Sequence, residues 1–482
     1  MGNSTSNLAP ASQPGSPLQV CLNAALPSSA LSYPQDFMYQ TISVDAYNKR
    51  IPVIPAAVTT PSTTADISAI LKCAVESDVK VQALSGGHSY GNYGLGGVDN
   101  AVVVDMKNFQ QFSMDNTTWH ATIGSGTLLS DVTSRLSDAG GRAIAHGTCP
   151  QVGIGGHATI GGLGPLSRQW GAALDHIIEV EVVLANGTVV RANNETNPDV
   201  LFAIKGAGAS FGVVTEFVFL THPQPTSVVQ YSYTVELGSY TDMWPTFDAW
   251  QTAVGNPDLD WKLASELIVL PGSLLITGTY FGTEAEYEAT GFEKAVAANA
   301  TNVAVSTIDN WLGTVAEWAE NEALQLIGGT PSYFYSKSLT ITPDNLIPKS
   351  GIVDLFNYFE YADPDTLIWF AIFDLEGGAV SAVPQNSTAY GHRGALYYLQ
   401  SYALGLTGLS NTSMAFVEGI SSTIQAALPG QNLGAYPGYV DPLLTDGPSE
   451  YWTTNLPKLK EIKKAIDPND LFHNPQSVPV GA

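Results

Sequence analysis

The segment SGGHSYG at residues 85–91 directly follows a strand-like run, VKVQALS, and determines how the sequence is interpreted. Consecutive glycines allow backbone N–H groups to converge on an anion, so this segment predicts a pyrophosphate-binding turn that needs no helix dipole. Two further glycine-rich segments follow, HGTCPQVGIGGHATIGGLGPLSRQW at 146–170 and KGAGASFGVVTEF at 205–217. Since no GxGxxG opens a helix after the first strand, a Rossmann site is not predicted. The segments instead predict a backbone that closely approaches a flat ring.

The composition is that of an acidic globular protein. The chain has 482 residues, of which 44% are hydrophobic, enough for the cores of two or three domains. Its 19 Lys and Arg against 44 Asp and Glu give a formal charge of −25. This charge disfavours nucleic-acid and membrane-surface partners and admits a neutral or cationic substrate more easily than an anionic one. No apolar run reaches the roughly 20 residues of a membrane span. We expect a monomer without a metal site.

Glycosylation acceptors favour secretion. The start of the chain lacks the basic and apolar blocks of a signal peptide, which fits either a cytosolic protein or a mature secreted protein with a new initiator. Seven Asn-x-Ser/Thr acceptors favour the second interpretation. They stand at Asn3, Asn116, Asn186, Asn194, Asn299, Asn386 and Asn411. We therefore expect a secreted, extracellular glycoprotein.

Three cysteines leave one unpaired in an oxidising compartment. Cys21 and Cys73 lie in segments with helical patterns, whereas Cys149 lies in the Gly/Pro-rich loop HGTCPQVG. Two interpretations are open. Either all three are buried thiols that behave as small hydrophobic residues, or Cys21 and Cys73 form a disulfide and leave Cys149 for another role.

The N-terminal part predicts a mixed α+β domain. Residues 1–17 are rich in Ser, Pro and Asn, which predicts a loose terminus. From about residue 40 to residue 220, short β-branched runs alternate with helical segments, one of which starts at a cap formed by Thr63 or Thr64. The run VLANGTVV predicts a hairpin that turns at Asn186-Gly187.

The remainder predicts a second α+β domain and a short return. Residues 223–440 contain long amphipathic strands with helices between them, which predicts one large antiparallel sheet covered by helices. Residues 441–482 predict a helix followed by a turn that ends in proline.

Together the glycine-rich segments resemble the vanillyl-alcohol-oxidase flavoproteins in their berberine-bridge-enzyme-like branch, and most of all the fungal glucooligosaccharide oxidases. The resemblance covers nearly the whole chain, including SGGHSYG, HGTCPQVGIGGH, KGAGASFGVVTEF and the closing DPNDLFHNPQS. It implies the two-domain α+β fold of that superfamily. In that fold, residues 1–222 form an FAD-binding domain of the PCMH type, 223–440 a substrate-binding domain, and 441–482 return to the FAD-binding domain.

The resemblance implies FAD attached at two points. His88 matches a histidine bonded to the flavin 8-methyl group, with a turn-capping histidine as the alternative, and Cys149 matches a cysteine bonded to C6 of the ring. Both bonds should raise the reduction potential. His157 matches a histidine near the N1/C2 edge, where negative charge gathers on reduction. The other expected cofactor-binding residues are Ser85, Gly86, Gly87, Ser89, Thr148, Val152, Gly153, Gly155, Gly156, Gly212, Val213 and Asn474.

The resemblance also implies the catalytic residues. Tyr439 in GAYPGYVDP matches the catalytic tyrosine, Asp374 matches the aspartate paired with it, and Tyr90 lines the same site. Oxidation of an alcohol by hydride transfer needs a base for the hydroxyl proton, and a tyrosinate of lowered pKa would serve for an acidic anomeric hydroxyl. Asp374 would orient the phenol and accept or relay its proton. Without the resemblance, Asp374 is an edge-strand charge and Tyr439 a structural tyrosine.

Substrate contacts are implied less completely. Gln400 matches a glutamine that hydrogen-bonds the sugar, while Tyr436 and Phe370 would form aromatic walls, with plain core packing as the alternative for Phe370. The implied substrate-binding residues are Tyr90, Thr148, Gln400, Tyr436, Phe370 and Ile372.

Two positions depart from the glucooligosaccharide oxidase pattern. Ile372 stands where a second sugar-binding glutamine is expected. Without the hydrogen bond of that glutamine, the free energy of sugar binding is weaker by about 0.5–1.5 kcal/mol. Ser332 stands where an acidic residue is expected before YFY, and Lys337 follows it.

We therefore expect a secreted carbohydrate oxidase that converts the C1 hydroxyl of an oligosaccharide to a lactone by hydride transfer to flavin N5, with O2 reduced to H2O2. The resemblance implies that a valine at position 152, rather than a bulkier isoleucine, goes with oxygen access, so Val152 favours oxygen over a quinone as acceptor. The departures leave a secondary-metabolite oxidase acting on a non-sugar alcohol or alkaloid as the alternative. A flavin-carrying binder with little activity is a third, which the intact Tyr439/Asp374 pair argues against.

Overall fold

A computed structural model describes residues 10–321 and 330–481, so the Asn3 acceptor and residues 1–9 of the predicted loose terminus lie outside the described residues. The described helices are α1 (Pro17–Ala25), α2 (Thr64–Glu76), α3 (Leu129–Asp138), α4 (Ile154–Ile160), α5 (Ser167–Trp170), α6 (Pro198–Ala207), α7 (Trp244–Val254), α8 (Glu284–Thr290), α9 (Phe292–Val296), α10 (Trp311–Asn321), α11 (Lys349–Tyr361), α12 (Ala379–Ala382), α13 (Asn411–Ala427), α14 (Gly447–Trp452) and α15 (Leu456–Ile466). The described strands are β1 (Leu31–Ser32), β2 (Ala57–Thr59), β3 (Val81–Leu84), β4 (Val102–Asp105), β5 (Phe112–Asp115), β6 (His120–Gly124), β7 (Arg142–Ala143), β8 (Ile177–Val183), β9 (Val189–Asn193), β10 (Val213–Leu220), β11 (His222–Pro223), β12 (Val228–Val235), β13 (Leu263–Leu270), β14 (Ser273–Tyr280), β15 (Asn302–Ile308), β16 (Tyr333–Ile341), β17 (Ile368–Leu375) and β18 (Tyr397–Gly405).

The N-terminal half carries two larger sheets. One has the order β1-β2-β4-β3 with parallel pairing of β2, β4 and β3, and the other has the antiparallel order β5-β6-β10-β8-β9. The predicted start of α2 is confirmed because Thr63 and Asp66 cap it reciprocally. The predicted hairpin is also confirmed, since β8 and β9 pair antiparallel and Gly187 adopts φ +79° in the turn.

The C-terminal half is built on a seven-stranded antiparallel sheet of order β15-β12-β14-β13-β17-β18-β16, which confirms the predicted fold class. Helices α7, α9, α11 and α13 share one buried core with a face of this sheet. The sequence pattern did not identify β13 or β15. Strand β13 is buried along most of both faces and therefore does not alternate, whereas β15 is exposed along nearly its whole length.

The C-terminal segment packs against the N-terminal half. Lys463 of α15 is fully buried, pairs with Asp467 at 2.7 Å, and donates to the backbone oxygen of Ser210 at 2.8 Å. Farther along, Phe472 forms a β-bridge with Val81. The domain limits at 222 and 440 stay predictions.

The loose terminus predicted for residues 1–17 is wrong for its described part. Residues Pro10–Ser12 form a 3-10 helix, and the Ser16 hydroxyl caps α1 by accepting from the Gln19 N–H. Leu18 and Leu22 of α1 are fully buried. The Ser/Pro-rich composition concealed an ordinary cap followed by proline at the first helical position. Within the described part of the chain, no helix is long and apolar enough to cross a membrane.

A disulfide joins α1 to α2 through Cys21 and Cys73, which decides between the two interpretations of the cysteines. The bond closes a loop with a sequence separation of 52 residues. Because it restricts the unfolded chain, we expect the Cys21→Ser/Cys73→Ser variant to lose about 4 kcal/mol of unfolding free energy, measured by urea titration. Either single variant should lose as much as the double variant. Coincident urea midpoints for wild type and variants would contradict this expectation.

Candidate active site

A cavity between the glycine-rich loops and the uncovered face of the large sheet brings most of the predicted residues together. The predicted residues that line it are Ser85, Gly86, Gly87, His88, Ser89, Tyr90, Thr148, Cys149, Val152, Gly153, Gly156, His157, Phe370, Ile372, Asp374, Gln400, Tyr436, Tyr439 and Asn474.

Three predicted cofactor-binding residues lie outside this lining. A Cβ on Gly155 would come within 2.5 Å of the Ser125 backbone oxygen, and one on Gly212 within 2.4 Å of a Val182 methyl carbon. Val213 is fully buried in a hydrophobic core. These positions pack closely against neighbouring backbone and side chains, and their role as cofactor contacts stays a prediction.

The first two glycine-rich loops meet backbone to backbone at one wall of the cavity. A Cβ on Gly86 would stand 2.3 Å from the Gly153 nitrogen, and one on Gly153 would stand 2.1 Å from the Ser85 hydroxyl. That hydroxyl donates to the Ser125 backbone oxygen at 2.7 Å. Gly156, in contrast, has no atom within 4 Å of its Cβ position and presents bare backbone to the cavity. The result is a close-packed wall with an open surface for a flat group.

The two residues expected to hold the cofactor both line the cavity. Burial lowers the pKa of His88 to about 4, so its imidazole is neutral at physiological pH, and the Tyr47 ring lies 4.7 Å from it between centroids. Cys149 is half-buried and, unlike the other two cysteines, is not in a disulfide. A neutral imidazole and a thiol are both potential nucleophiles at this wall.

His157 is held as a neutral acceptor. Its Nε2 accepts from the Gly147 backbone N–H at 2.9 Å, so the ring proton resides on Nδ1. Burial, with a contribution from nearby His146, lowers the pKa of His157 to about 3. The imidazole of His157 is therefore neutral and carries no full positive charge at the cavity wall.

Tyr439 and Asp374 form the predicted pair. The Tyr439 hydroxyl donates to Asp374 Oδ2 at 3.3 Å, and the Tyr90 ring stacks on Tyr439 at 6.5 Å with an interplanar angle of 19°. Burial raises the pKa of Tyr439 well above its ordinary value, and the Asp374 carboxylate adds to this shift. The expected tyrosinate of lowered pKa is therefore wrong for the protein alone. The pair is a neutral phenol that donates to a carboxylate.

Gln400 stands beside this pair on the neighbouring strand. Its Nε2 donates to the Tyr90 hydroxyl at 2.7 Å. Strand register places Gln400 opposite Ile372 and Tyr402 opposite Phe370, so the surface behind Tyr90 is apolar apart from one amide and the tyrosine hydroxyls.

The two predicted aromatic walls differ in character. Phe370 is 2% exposed, stacks on Tyr402 at 4.9 Å and belongs to an apolar cluster, which favours core packing over a free wall. Tyr436 packs edge-on against Tyr439 at 5.1 Å, and its hydroxyl accepts from the Gly162 N–H at 3.1 Å. It braces the Tyr439 ring.

Several cavity-lining residues were missed at the sequence level, among them Glu266, Tyr47 and Tyr402. Glu266 lies directly opposite Asp374 in the β13–β17 ladder, on a strand whose pattern gave no signal. In the part of the chain that the structure describes, no lysine or arginine lines the cavity. The end of the cavity at Glu266 and Asp374 therefore carries acidic side chains and no lysine or arginine among the described lining residues.

Comparison with known proteins identifies the family. The FAD binding domain family matches residues 55–193, and the family "Berberine and berberine like" matches residues 435–479. The FAD-linked oxidoreductase sorD of Penicillium rubens is 38% identical over 472 residues, covering 97% of this chain and 99% of that protein. The chain belongs to the berberine-bridge-enzyme-like branch of the vanillyl-alcohol-oxidase flavoproteins. This berberine-bridge-enzyme-like protein is accordingly an FAD-dependent oxidoreductase.

Other relatives of this berberine-bridge-enzyme-like protein are named for sugars. The xylooligosaccharide oxidase of Thermothelomyces thermophilus is 31% identical and covers 90% of this chain and 88% of its own length. A solved structure of the glucooligosaccharide oxidase from Acremonium strictum superimposes with a TM-score of 0.86 at 29% identity, covering 96% and 99% of the two chains. That enzyme holds a 6-S-cysteinyl, 8α-N1-histidyl FAD.

The cavity of this berberine-bridge-enzyme-like protein fits FAD. The Gly86/Gly153 contact leaves no room for side chains at the wall, and the bare backbone at Gly156 suits close approach of a ring. The ring-bearing residue Tyr93 also lines the cavity.

Proposed function

We propose that this protein is a secreted oligosaccharide oxidase that oxidises the anomeric C1 hydroxyl to a lactone and reduces O2 to H2O2. The observation that carries the proposal is the Tyr439–Asp374 pair in the cavity, with Gln400 and Tyr90 hydrogen-bonded beside it. His88 and Cys149 would hold FAD covalently, as the flavin of the glucooligosaccharide oxidase is held by a histidine and a cysteine. Bound FAD supplies the hydride acceptor at this site and passes the electrons to O2.

The protein's own residues handle the proton. The Tyr439 oxygen accepts the proton of the substrate hydroxyl while its own proton moves to Asp374 Oδ2, so that neither a free tyrosinate nor a strong base is required at rest. Stacking by Tyr90 and edge-on packing by Tyr436 hold the phenol in place. Gln400 Nε2 donates to the Tyr90 hydroxyl, and this hydrogen-bonded pair of polar groups would contact hydroxyl groups of the sugar.

A second candidate, oxidation of a non-sugar alcohol, is favoured by the apolar surface at Ile372 and Phe370. The amide missing at Ile372 weakens sugar binding by about 0.5–1.5 kcal/mol. The relative from Penicillium rubens, the FAD-linked oxidoreductase sorD, is not named for a sugar. The pairing of Gln400 with Tyr90 and the sugar oxidases among the relatives favour the first candidate.

Secretion is supported by two features of the surface. Every glycosylation acceptor within the described residues has an exposed asparagine. The Cys21–Cys73 disulfide fits an oxidising compartment. Loss of mass on N-glycosidase treatment of the protein from a fungal host would support secretion; an unglycosylated, intracellular product would contradict it.

Oxygen as the electron acceptor is supported by Val152, which lines the cavity. We also propose that the protein is a monomer.

Peroxide formation over a substrate panel tests the proposal. The panel contains cellobiose, xylobiose and diacetylchitobiose, with benzyl alcohol and 4-methoxybenzyl alcohol as non-sugar probes. We expect peroxide and an equal amount of aldonic acid from at least one sugar. Turnover of the aromatic alcohols alone would establish the second candidate instead, and no turnover of any probe would contradict both.

The acidic cavity predicts discrimination against anionic sugars. Because Glu266 and Asp374 line it without a lysine or arginine among the described lining residues, a sugar carboxylate should be repelled. We expect the KM of a glucuronic-acid-terminated disaccharide to exceed that of its methyl ester about tenfold, which corresponds to about 1.4 kcal/mol of repulsion. Added salt should narrow the difference. Equal KM values for acid and ester would refute this electrostatic account.

A further inference from the structure

The loop that carries the catalytic tyrosine runs along β16, the edge strand of the large sheet. The Thr340 N–H donates to the Leu433 oxygen at 3.0 Å, and the Tyr436 N–H donates to the Ser338 hydroxyl at 3.0 Å. Beyond Tyr439, the loop is fastened once more, where Lys337 Nζ lies 2.7 Å from Asp441 Oδ2.

The Tyr436–Ser338 hydrogen bond and the Lys337–Asp441 ion pair lie on opposite faces of β16. Ser338 pairs with Gln400 and faces the cavity, so the adjacent Lys337 points to the other face. There Glu418 of α13 meets Lys337 at 3.2 Å. The loop therefore crosses the sheet edge between Tyr436 and Asp441, and Tyr439 lies in the crossing segment.

The ion pair at the far end is largely removed from solvent. The side chain of Asp441 is 3% exposed and that of Lys337 16% exposed. Asp441 Oδ1 accepts from the Leu443 N–H at 2.9 Å, and its backbone oxygen accepts from Gln476 Nε2 at 2.8 Å. Because a buried carboxylate that loses its cation is strongly destabilising, the ion pair with Lys337 holds Asp441 in its position.

We propose that Lys337 is a positioning residue that, through Asp441, fixes the Tyr439 phenol on Asp374. This inference rests on the proposed function for its kinetic effect. It assigns a role to a lysine that the oligosaccharide oxidase pattern left unexplained. Lys337 acts from the helix-covered face and touches neither substrate nor cofactor.

The test uses holoenzyme variants that separate positioning from folding. The single variant Lys337→Met leaves the buried Asp441 carboxylate without its ion-pair partner and should lower the melting temperature. The double variant Lys337→Met/Asp441→Asn removes both charges and should recover the melting temperature that the single variant loses. In both variants we expect anaerobic flavin reduction by saturating cellobiose or xylobiose to slow about tenfold to a hundredfold, with KM changed less than twofold. Lys337→Arg should recover the rate. The control, Glu418→Gln, leaves the Lys337–Asp441 pair intact and should stay within twofold of wild type.

Crystal structures of wild type and the double variant supply a readout without turnover. The Tyr439 Oη to Asp374 Oδ2 distance, 3.3 Å here, should lengthen in the double variant. A wild-type rate together with an unchanged distance would overturn the inference. If wild type oxidises neither sugar, the proposed function fails, and the distance alone then decides whether Lys337 positions Tyr439.

Discussion

Replacement of Tyr439 by phenylalanine is expected to slow flavin reduction by an oligosaccharide about 10²- to 10⁴-fold, the usual loss when a general base is removed. In the proposed mechanism the phenol oxygen takes the substrate proton, whereas the phenylalanine ring keeps the packing on Tyr90 and Tyr436. FAD content, read from the visible spectrum, should be unchanged. Anaerobic stopped-flow reduction measures the rate.

The matched control for this variant is Tyr397→Phe. The Tyr397 hydroxyl donates to Gln251 Oε1 at 2.6 Å on the helix-covered face of β18. Its removal should lower stability and leave the reduction rate unchanged. The partner variant Asp374→Asn keeps a hydrogen-bond acceptor for Tyr439 but removes the proton acceptor, so it should also be slow. Reduction of the Tyr439→Phe protein at the wild-type rate would rule out the proton transfer proposed here.

The second prediction with a large expected effect concerns covalent attachment of the flavin to His88 and Cys149. Acid-precipitated wild-type protein should retain all its yellow colour, because a covalent bond survives unfolding. His88→Ala and Cys149→Ser should each retain the colour through the remaining bond, and the double variant should release it. Peptide mapping should find a flavin that links one peptide with His88 to another with Cys149. Release of flavin from denatured wild type would contradict the attachment.

Much of this fold follows from local pattern. The Thr63 cap and the Asn186-Gly187 turn are short-range signals, and the structure shows the predicted elements at each. Strands β17 and β18 were predicted although they are buried on both faces, whereas the similarly buried strand β13 was not identified. Its residue Glu266 was consequently missed, although strand register places it opposite Asp374.

Electrostatic properties of the site were less accessible from the sequence. The motif identifies Tyr439 but not its surroundings, and burial beside Asp374 raises a pKa that the chemistry alone suggested would be lowered. His157 is similar, since only the fold shows that the Gly147 N–H occupies Nε2. In the third glycine-rich segment, Gly206, Ala207, Ala209 and Ser210 line the cavity, whereas Gly212 packs on β8. In each case the residue that sets the role of the side chain or glycine is brought close by the fold, and the sequence pattern does not show this contact.

The central claim, oxidation at C1 by this site, is tested most directly with cellobiose that carries deuterium at C1 of the reducing end. The account predicts that anaerobic flavin reduction is several-fold slower with the labelled sugar than with unlabelled cellobiose, and that the aldonic acid product contains no deuterium at C1. Xylobiose labelled in the same way serves if cellobiose is not oxidised. Flavin reduction without an isotope effect, with deuterium retained in the product, would contradict the account.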